Sequence, residues 1–182
     1  MKRPFTLLIV IIAFGFIVAE VVKSARTIGF NEGYEPDQPL PFSHKIHAGE
    51  NKINCQYCHF GADKGRHAGI PPTQLCLNCH NQIRKDSDEI QKIHTAVKSG
   101  KDIEWVKVLH FPDFAYFNHS QHVRLGKIEC QTCHGVVEGM TRMRQVGKLS
   151  MGRCVGCHRE NEIAPPNDHK RKTGGDCAKC HY

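Results

Sequence analysis

The sequence predicts a mainly α-helical and irregular fold wrapped around covalently attached prosthetic groups, preceded by one N-terminal transmembrane helix. Three observations predict it. Ten cysteines and thirteen histidines in 182 residues are far too many for an ordinary domain of this size. Hydrophobic residues make up only 40% of the chain, and part of that share sits in one N-terminal run, which leaves little apolar mass for a core. All ten cysteines fall in five copies of Cys-x-x-Cys-His.

The N-terminal run reads MKRPFTLLIVIIAFGFIVAEVVKSA. Residues 5–22 are apolar except for Thr6 and Glu20, close to the roughly 20 residues that span a bilayer as a helix. Glu20 lies near the far end, where a carboxylate reaches headgroups. A cleaved signal peptide is the rival reading, but Val22-Lys23-Ser24 is a weak cleavage site. An uncleaved anchor over 1–26 is therefore expected. Lys2 and Arg3 on one side and Lys23 and Arg26 on the other leave its orientation undecided by charge alone.

The five motifs are Cys55-Cys58-His59, Cys76-Cys79-His80, Cys130-Cys133-His134, Cys154-Cys157-His158 and Cys177-Cys180-His181. This pattern is the attachment signal of c-type haem. Two thiols three positions apart reach the two vinyl groups of one haem, and the adjacent histidine falls over the iron as proximal ligand. Five disulfides or zinc held by Cys-x-x-Cys pairs would use the cysteines equally well. Neither requires a histidine after every second cysteine. Five haems are expected, and their macrocycles would provide the apolar mass that the side chains lack.

Filling both axial positions of five irons needs five more ligands. Eight histidines remain: His44, His47, His67, His94, His110, His119, His122 and His169. Four of these belong to a repeat. FSHKIHAGENKINCQYCH at 42–59 returns as FNHSQHVRLGKIECQTCH at 117–134, every key residue displaced by 75 positions. The paired histidines upstream of each motif read as distal ligands, and the repeat reads as one haem-binding unit copied. His94 lies on a predicted helix in DSDEIQKIHTAVKSG, with Asp86 as cap, Glu89 reaching back and Gly100 ending it. Ile90, Ile93, His94 and Val97 share its apolar face, so His94 is expected to be packed there.

In these repeats the chain resembles the class III cytochrome c family, which includes cytochromes c3 and c7, with its Phe-x-His-x-x-His pattern ahead of Cys-x-x-Cys-His. The resemblance implies that His44 serves the haem on His59 and His47 the haem on His80. It likewise implies His119 for the haem on His134 and His122 for the haem on His158. For the haem on His181 it points to His67, which would cross from the first unit to the second. His110, His169 and Met151 are the alternates, since the second unit offers Met140, Met143 and Met151 where the family has a histidine.

The organisation follows. After the 1–26 anchor, 27–182 forms the haem domain, opening with the turn-rich TIGFNEGYEPDQPL at 27–40. One unit spans about 41–80 with two motifs and another 116–182 with three, joined by 81–115. The formal charge of +7 invites a nucleic-acid reading, but the basic residues are scattered rather than gathered in a stripe, and haem propionates would offset most of the charge. No nucleic-acid partner is expected.

Irons with both axial positions filled exchange electrons and do not bind substrate, so an electron-transfer protein that is not catalytic alone is expected. A multihaem reductase would need an open iron. Haem is attached outside the cytoplasmic membrane, which sets the domain on the periplasmic side of a single-pass anchor. RHAGIPPTQLCLNCH, EWVKVLHFPDFAYFNHSQH, KIECQTCHGVVEGM and MGRCVGCHRE together resemble the pentahaem cytochrome c subunit of bacterial alternative complex III. That resemblance implies integral quinol-binding membrane subunits and an iron–sulfur subunit related to molybdopterin oxidoreductases as partners. It implies a monohaem cytochrome c or a terminal oxidase as acceptor. Membrane-anchored quinol dehydrogenases of the NapC/NrfH type, which feed a periplasmic reductase, are the alternative. The five motifs and the Phe-x-His-x-x-His pairs argue against them.

Overall fold

A computed structural model describes residues 3–25, 31–161 and 177–181. Helix α1, Arg3–Ala25, contains the stretch Leu7–Ala25, 19 residues with a mean hydropathy of 2.4, long and apolar enough to cross a membrane. At about 1.5 Å per residue it matches the roughly 30 Å of a hydrocarbon core. None of that stretch is buried against the rest of the chain. Its charges gather at the C-terminal end, where Lys23 pairs with Glu20 at 3.8 Å.

The remaining helices are short: α2 (Cys55–Cys58), α3 (Leu77–His80), α4 (Asp88–Lys98), α5 (Cys130–His134) and α6 (Met151–Glu160). Among the described residues no strand forms. Each attachment motif coincides with a helical turn, because two thiols three apart share a face only in such a turn. Asn54 caps α2 by accepting the Gln56 N–H at 2.8 Å, and Ser150 accepts the Arg153 N–H at the start of α6.

The side-chain core is small. Leu40, Leu77, Ile90 and Ile93 are buried together, with Cys76, Val97, Ile103 and Trp105 packed against them. Helix α4 supplies Ile90 and Ile93, three positions apart on one face, and His94 beside them is half-buried. Ser87, in extended conformation, precedes the helix, and its side chain makes no capping bond. The expected cap, Asp86, lies one residue too early, because a left-handed turn at Arg84 delays the start. Gly100, with φ of +67°, ends it as expected.

The connector after α4 is stitched to the first unit through Thr73, which is buried. Its N–H donates to the Asp102 carboxylate at 2.7 Å, and its hydroxyl accepts the Ile103 N–H at 2.9 Å. The turn-rich segment ahead of the first unit is also tied down. Gly33 donates to the Gln145 carbonyl at 2.9 Å, and Gln145 donates back to Tyr34 at 3.0 Å. Arg142 pairs with Glu35 and Asp37. The Gln38 side-chain amide bonds Val106 in both directions, as a strand backbone would.

The two sequence repeats fold alike. Wide π-type turns occupy Lys45–Glu50 and Gln121–Leu125. Asn51 closes the first onto Ile46 and Gly126 the second onto Gln121. Lys52 and Lys127 then adopt the left-handed conformation at φ of +55° and +53°. Ile53 bonds back to His47, and Ile128 bonds back to His122. The repeats also grip each other. Lys45 donates to Met140 at 2.9 Å, and Ser120 donates to Gly65 at 3.0 Å. Gly49 lies against the Glu138 carbonyl so closely that a Cβ there would collide with it.

Hydrogen bonds from the Thr73 N–H and hydroxyl hold the Asp102 carboxyl below its ordinary value of 3.8. A depressed carboxylate stabilises the fold above the ordinary value and ceases to do so as pH falls through the lowered one. The thermal midpoint of the wild type is therefore expected to decline below about pH 4 by more than that of Asp102→Asn, compared by calorimetry across pH.

Candidate functional site

The site is built from four pairs of facing imidazoles. The rings of His44 and His59 lie 6.4 Å apart, centroid to centroid, with 10° between their planes. His119 and His134 lie 6.3 Å apart at 1°. His47 and His80 are 6.1 Å apart, and His122 and His158 are 5.9 Å apart. An imidazole nitrogen sits about 2 Å from a first-row transition metal, so two rings on opposite sides of one iron have centroids about 6 Å apart. All four pairs have that spacing. In each, one ring follows a Cys-x-x-Cys and the other comes from a repeat turn or the residues just ahead of it.

The second ring nitrogen is already engaged in most of these histidines. Nδ1 of His59 bonds the Gly69 carbonyl at 2.6 Å, and Nδ1 of His80 bonds Ile83 at 2.9 Å. His47, His119 and His122 bond the carbonyls of Ser43, Arg66 and Asn118 at 2.8, 2.7 and 2.8 Å. Donation from Nδ1–H to a carbonyl fixes the tautomer and leaves Nε2 as the free base, the form a metal needs. His44 departs from this, since its Nδ1 is buried without a partner.

One phenylalanine orients each pair of upstream histidines. Phe42 meets His44 edge-on at 5.0 Å and stacks on His47 at 4.4 Å. Phe117 meets His119 edge-on at 4.8 Å and stacks on His122 at 4.4 Å. The aromatic residue two positions before the first histidine thus sets the planes of both.

Burial favours the neutral form of several of these groups. It pushes the His44 imidazole down to about 4, with the neighbouring His59 and His47 adding to the effect. His134 is lowered by burial, then by His119, His59 and Arg153, and His158 by burial and His122. Burial raises the thiols of Cys58, Cys76, Cys130, Cys133 and Cys154. None of the ten cysteines is paired in a disulfide. Among the described residues no cluster of three or more His, Cys, Asp or Glu side chains is placed to hold a bare metal ion. Thiols paired along helical turns beneath facing imidazoles fit a macrocycle better than a tetrahedral ion.

The fifth motif differs. His181 donates Nδ1 to the Phe114 carbonyl at 2.9 Å and has the Phe114 ring 6.0 Å away. Among the described residues no histidine ring faces it. His67 is exposed, but its neighbour Arg66 lies over the Tyr116 ring at 4.2 Å, and Tyr116 donates to the Cys180 carbonyl at 2.8 Å. The His67 segment is therefore two contacts from the fifth motif. His110 is exposed, with Nε2 on the Lys107 carbonyl at 3.0 Å, which occupies the nitrogen a ligand would use. Met151 opens α6 and is exposed, whereas Met140 is buried. His169 lies outside the described residues.

Arg153 is a functional candidate that motif reading passed over. Its guanidinium donates to the carbonyls of Val146, Thr132 and Cys133, so α6 carries a cation onto α5. Only its position three residues after the Ser150 cap hinted at it.

Residues 115–182 match the family described as cytochrome c7 and related cytochrome c. A curated protein of Nitratidesulfovibrio vulgaris named the multihaem cytochrome c subunit of menaquinone reductase is 30% identical over 159 residues, covering 81% of this chain and 69% of that one.

Replacing Phe42 or Phe117 by Leu removes the rings that set the imidazole planes. Each change is expected to cost about 1–2 kcal/mol in chemical denaturation and to broaden the resonances of two histidines in NMR spectra.

Proposed function

This chain belongs to the family of multihaem cytochrome c subunits of quinone-linked membrane complexes, and from that premise we propose that it is a membrane-anchored pentahaem electron carrier. In this reading it takes electrons from a quinol-oxidising complex of the alternative complex III type. They arrive through an iron–sulfur subunit and leave to a monohaem cytochrome c or a terminal oxidase. The observation that carries it is the set of four imidazole pairs at single-iron spacing.

The residues divide the work as follows. Cys55, Cys58, Cys76, Cys79, Cys130, Cys133, Cys154, Cys157, Cys177 and Cys180 hold five haems as thioethers. His59, His80, His134, His158 and His181 are the proximal ligands. His44, His47, His119 and His122 are the distal ligands of the first four, and His67 is proposed for the fifth. Bound haem supplies reversible one-electron chemistry at iron. With haem bound, the four imidazole pairs would occupy both faces of four irons, the Nδ1 bonds of His47, His59, His80, His119 and His122 would leave Nε2 turned to the metal, and substrate would find no coordination site there. The chain therefore moves electrons and is not catalytic alone. α1 would hold the domain at the cytoplasmic membrane, with the haems on the periplasmic side.

A second reading reverses the flow. The Nitratidesulfovibrio relative is named a subunit of menaquinone reductase, so the same haems would feed electrons into a quinone pool. Purification in mild detergent from the native membrane separates these readings. Recovery with iron–sulfur and multi-spanning subunits, in a complex that reduces an added cytochrome c from quinol, is the expected result. Net reduction of quinone by the reduced cytochrome supports the reverse direction. Recovery alone, with direct reduction by quinol, supports a quinol dehydrogenase instead.

Axial closure is tested by carbon monoxide. The four paired sites of the reduced wild type are expected to stay closed to it. His44→Ala is expected to open one site, read as a carbon monoxide difference spectrum of one haem's amplitude.

A further inference from the structure

The attachment motifs touch one another in an order that differs from their order along the chain. Asn78, inside the second motif, donates its side-chain N–H to the hydroxyl of Tyr57, inside the first, at 3.0 Å. Cys58 of the first motif has Cys76 and Cys79 of the second as close neighbours. The first motif then meets the third, because Gly49 of the first unit packs on the Glu138 carbonyl just past the third motif and the Cys55 and Cys130 thiols are close enough to influence each other. These two cysteines are the same position of the repeat, 75 residues apart.

The backbone around that contact is exchanged reciprocally. Lys45 donates to Met140, and Ser120 donates to Gly65. Adding 75 to Lys45 gives Ser120, and subtracting 75 from Met140 gives Gly65. The two bonds are one bond with the copies interchanged, which is the signature of a two-fold relation. His59 and His134 are also the same position of the repeat and lie close enough to influence each other. The third motif is joined to the fourth by Arg153, whose guanidinium donates to the Thr132 and Cys133 carbonyls at 3.3 and 3.1 Å. Cys154 of the fourth motif and Cys180 of the fifth are near enough to influence each other.

We infer that the attachment motifs form one spatial row in the order 76–80, 55–59, 130–134, 154–158, 177–181, with a local two-fold axis between Cys55 and Cys130. The second motif, and not the first, is an end of the row. The first is interior, at the crossing between the two units. The end at 76–80 rests on the small side-chain core of Leu40, Leu77, Ile90 and Ile93. A redox partner at that end therefore meets the surface of α3 and α4.

This inference deepens the pentahaem reading and rests on it. The test is a spectroscopic redox titration of the detergent-purified holoprotein, with its haem content measured by mass spectrometry. A haem's midpoint responds to the charge of its immediate neighbours. Removing the second-motif haem with C76S/C79S is expected to move one remaining midpoint, and removing the first with C55S/C58S to move two. The reverse pattern, which a row in sequence order produces, overturns the inference, and so do equal counts. Where a variant fails to load its other haems, His47→Met and His44→Met replace it. These retain every attachment cysteine and are expected to move one and two neighbouring midpoints respectively, with the same outcomes overturning the order. A mature wild-type mass short of five haems overturns the functional reading instead, so the two failures are told apart.

Discussion

An iron in a macrocycle is ligated from two opposite faces, and the Cys-x-x-Cys-His turn supplies only one of them. The chain brings a second imidazole back over four of the five motifs, parallel to the first or tilted, about 6 Å away. The rest of the structure follows from that requirement. Wide turns at Lys45–Glu50 and Gln121–Leu125 carry His47 and His122, with His44 and His119 just ahead of them. Phe42 and Phe117 set the planes of those rings. Backbone carbonyls of Ser43, Arg66 and Asn118 take up the nitrogens that a metal would not use.

The same requirement explains the thin side-chain core. Leu40, Ala62, Leu77, Ile90, Ile93 and Met140 are the buried apolar residues among those described. Most of them gather at α4 and the second motif, away from the crossing between the repeats. At that crossing, thiols and imidazoles occupy the ground where a globular domain would place leucines. Polar stitching substitutes for packing: Thr73 with Asp102, Arg142 with Glu35 and Asp37, Gln38 with Val106. Each of these holds chain against chain without asking for apolar volume.

The reciprocal bonds between the repeats give the copying a structural meaning. A unit with a two-fold contact built into it can double by pairing with its own copy. The second copy carries one motif more, at 177–181, while its α6 motif matches the one at 76–80 and is tied by Arg153 to the motif before it. Departures from symmetry mark where the copies took on separate tasks. His119 bonds Arg66, while His44, its counterpart, keeps a buried Nδ1 without a partner. Gly49 allows a close approach to Glu138 that Arg124, its counterpart in the second repeat, does not need.

Much of the site was legible in the residues themselves, because covalent attachment and axial ligation demand fixed residue types at fixed local spacing. Ten cysteines, five following histidines and two Phe-x-His-x-x-His pairs are short-range patterns. The apolar N-terminal helix and the α4 face with Ile90 and Ile93 are equally local. Other features depended on tertiary structure. Gly33–Asp37, read as turn-rich linker, is strapped to Arg142 and Gln145 more than a hundred residues away. The start of α4 shifted from Asp86 to Ser87 because of a turn at Arg84 that no cap rule registers. The meeting of Cys55 with Cys130 was hidden as well, since the spacing within each repeat is silent on how two copies dock. Sequence determined which groups the chain can hold. The packing of one repeat on the other decided which of them are neighbours, because that choice is made by backbone bonds between segments far apart in the chain.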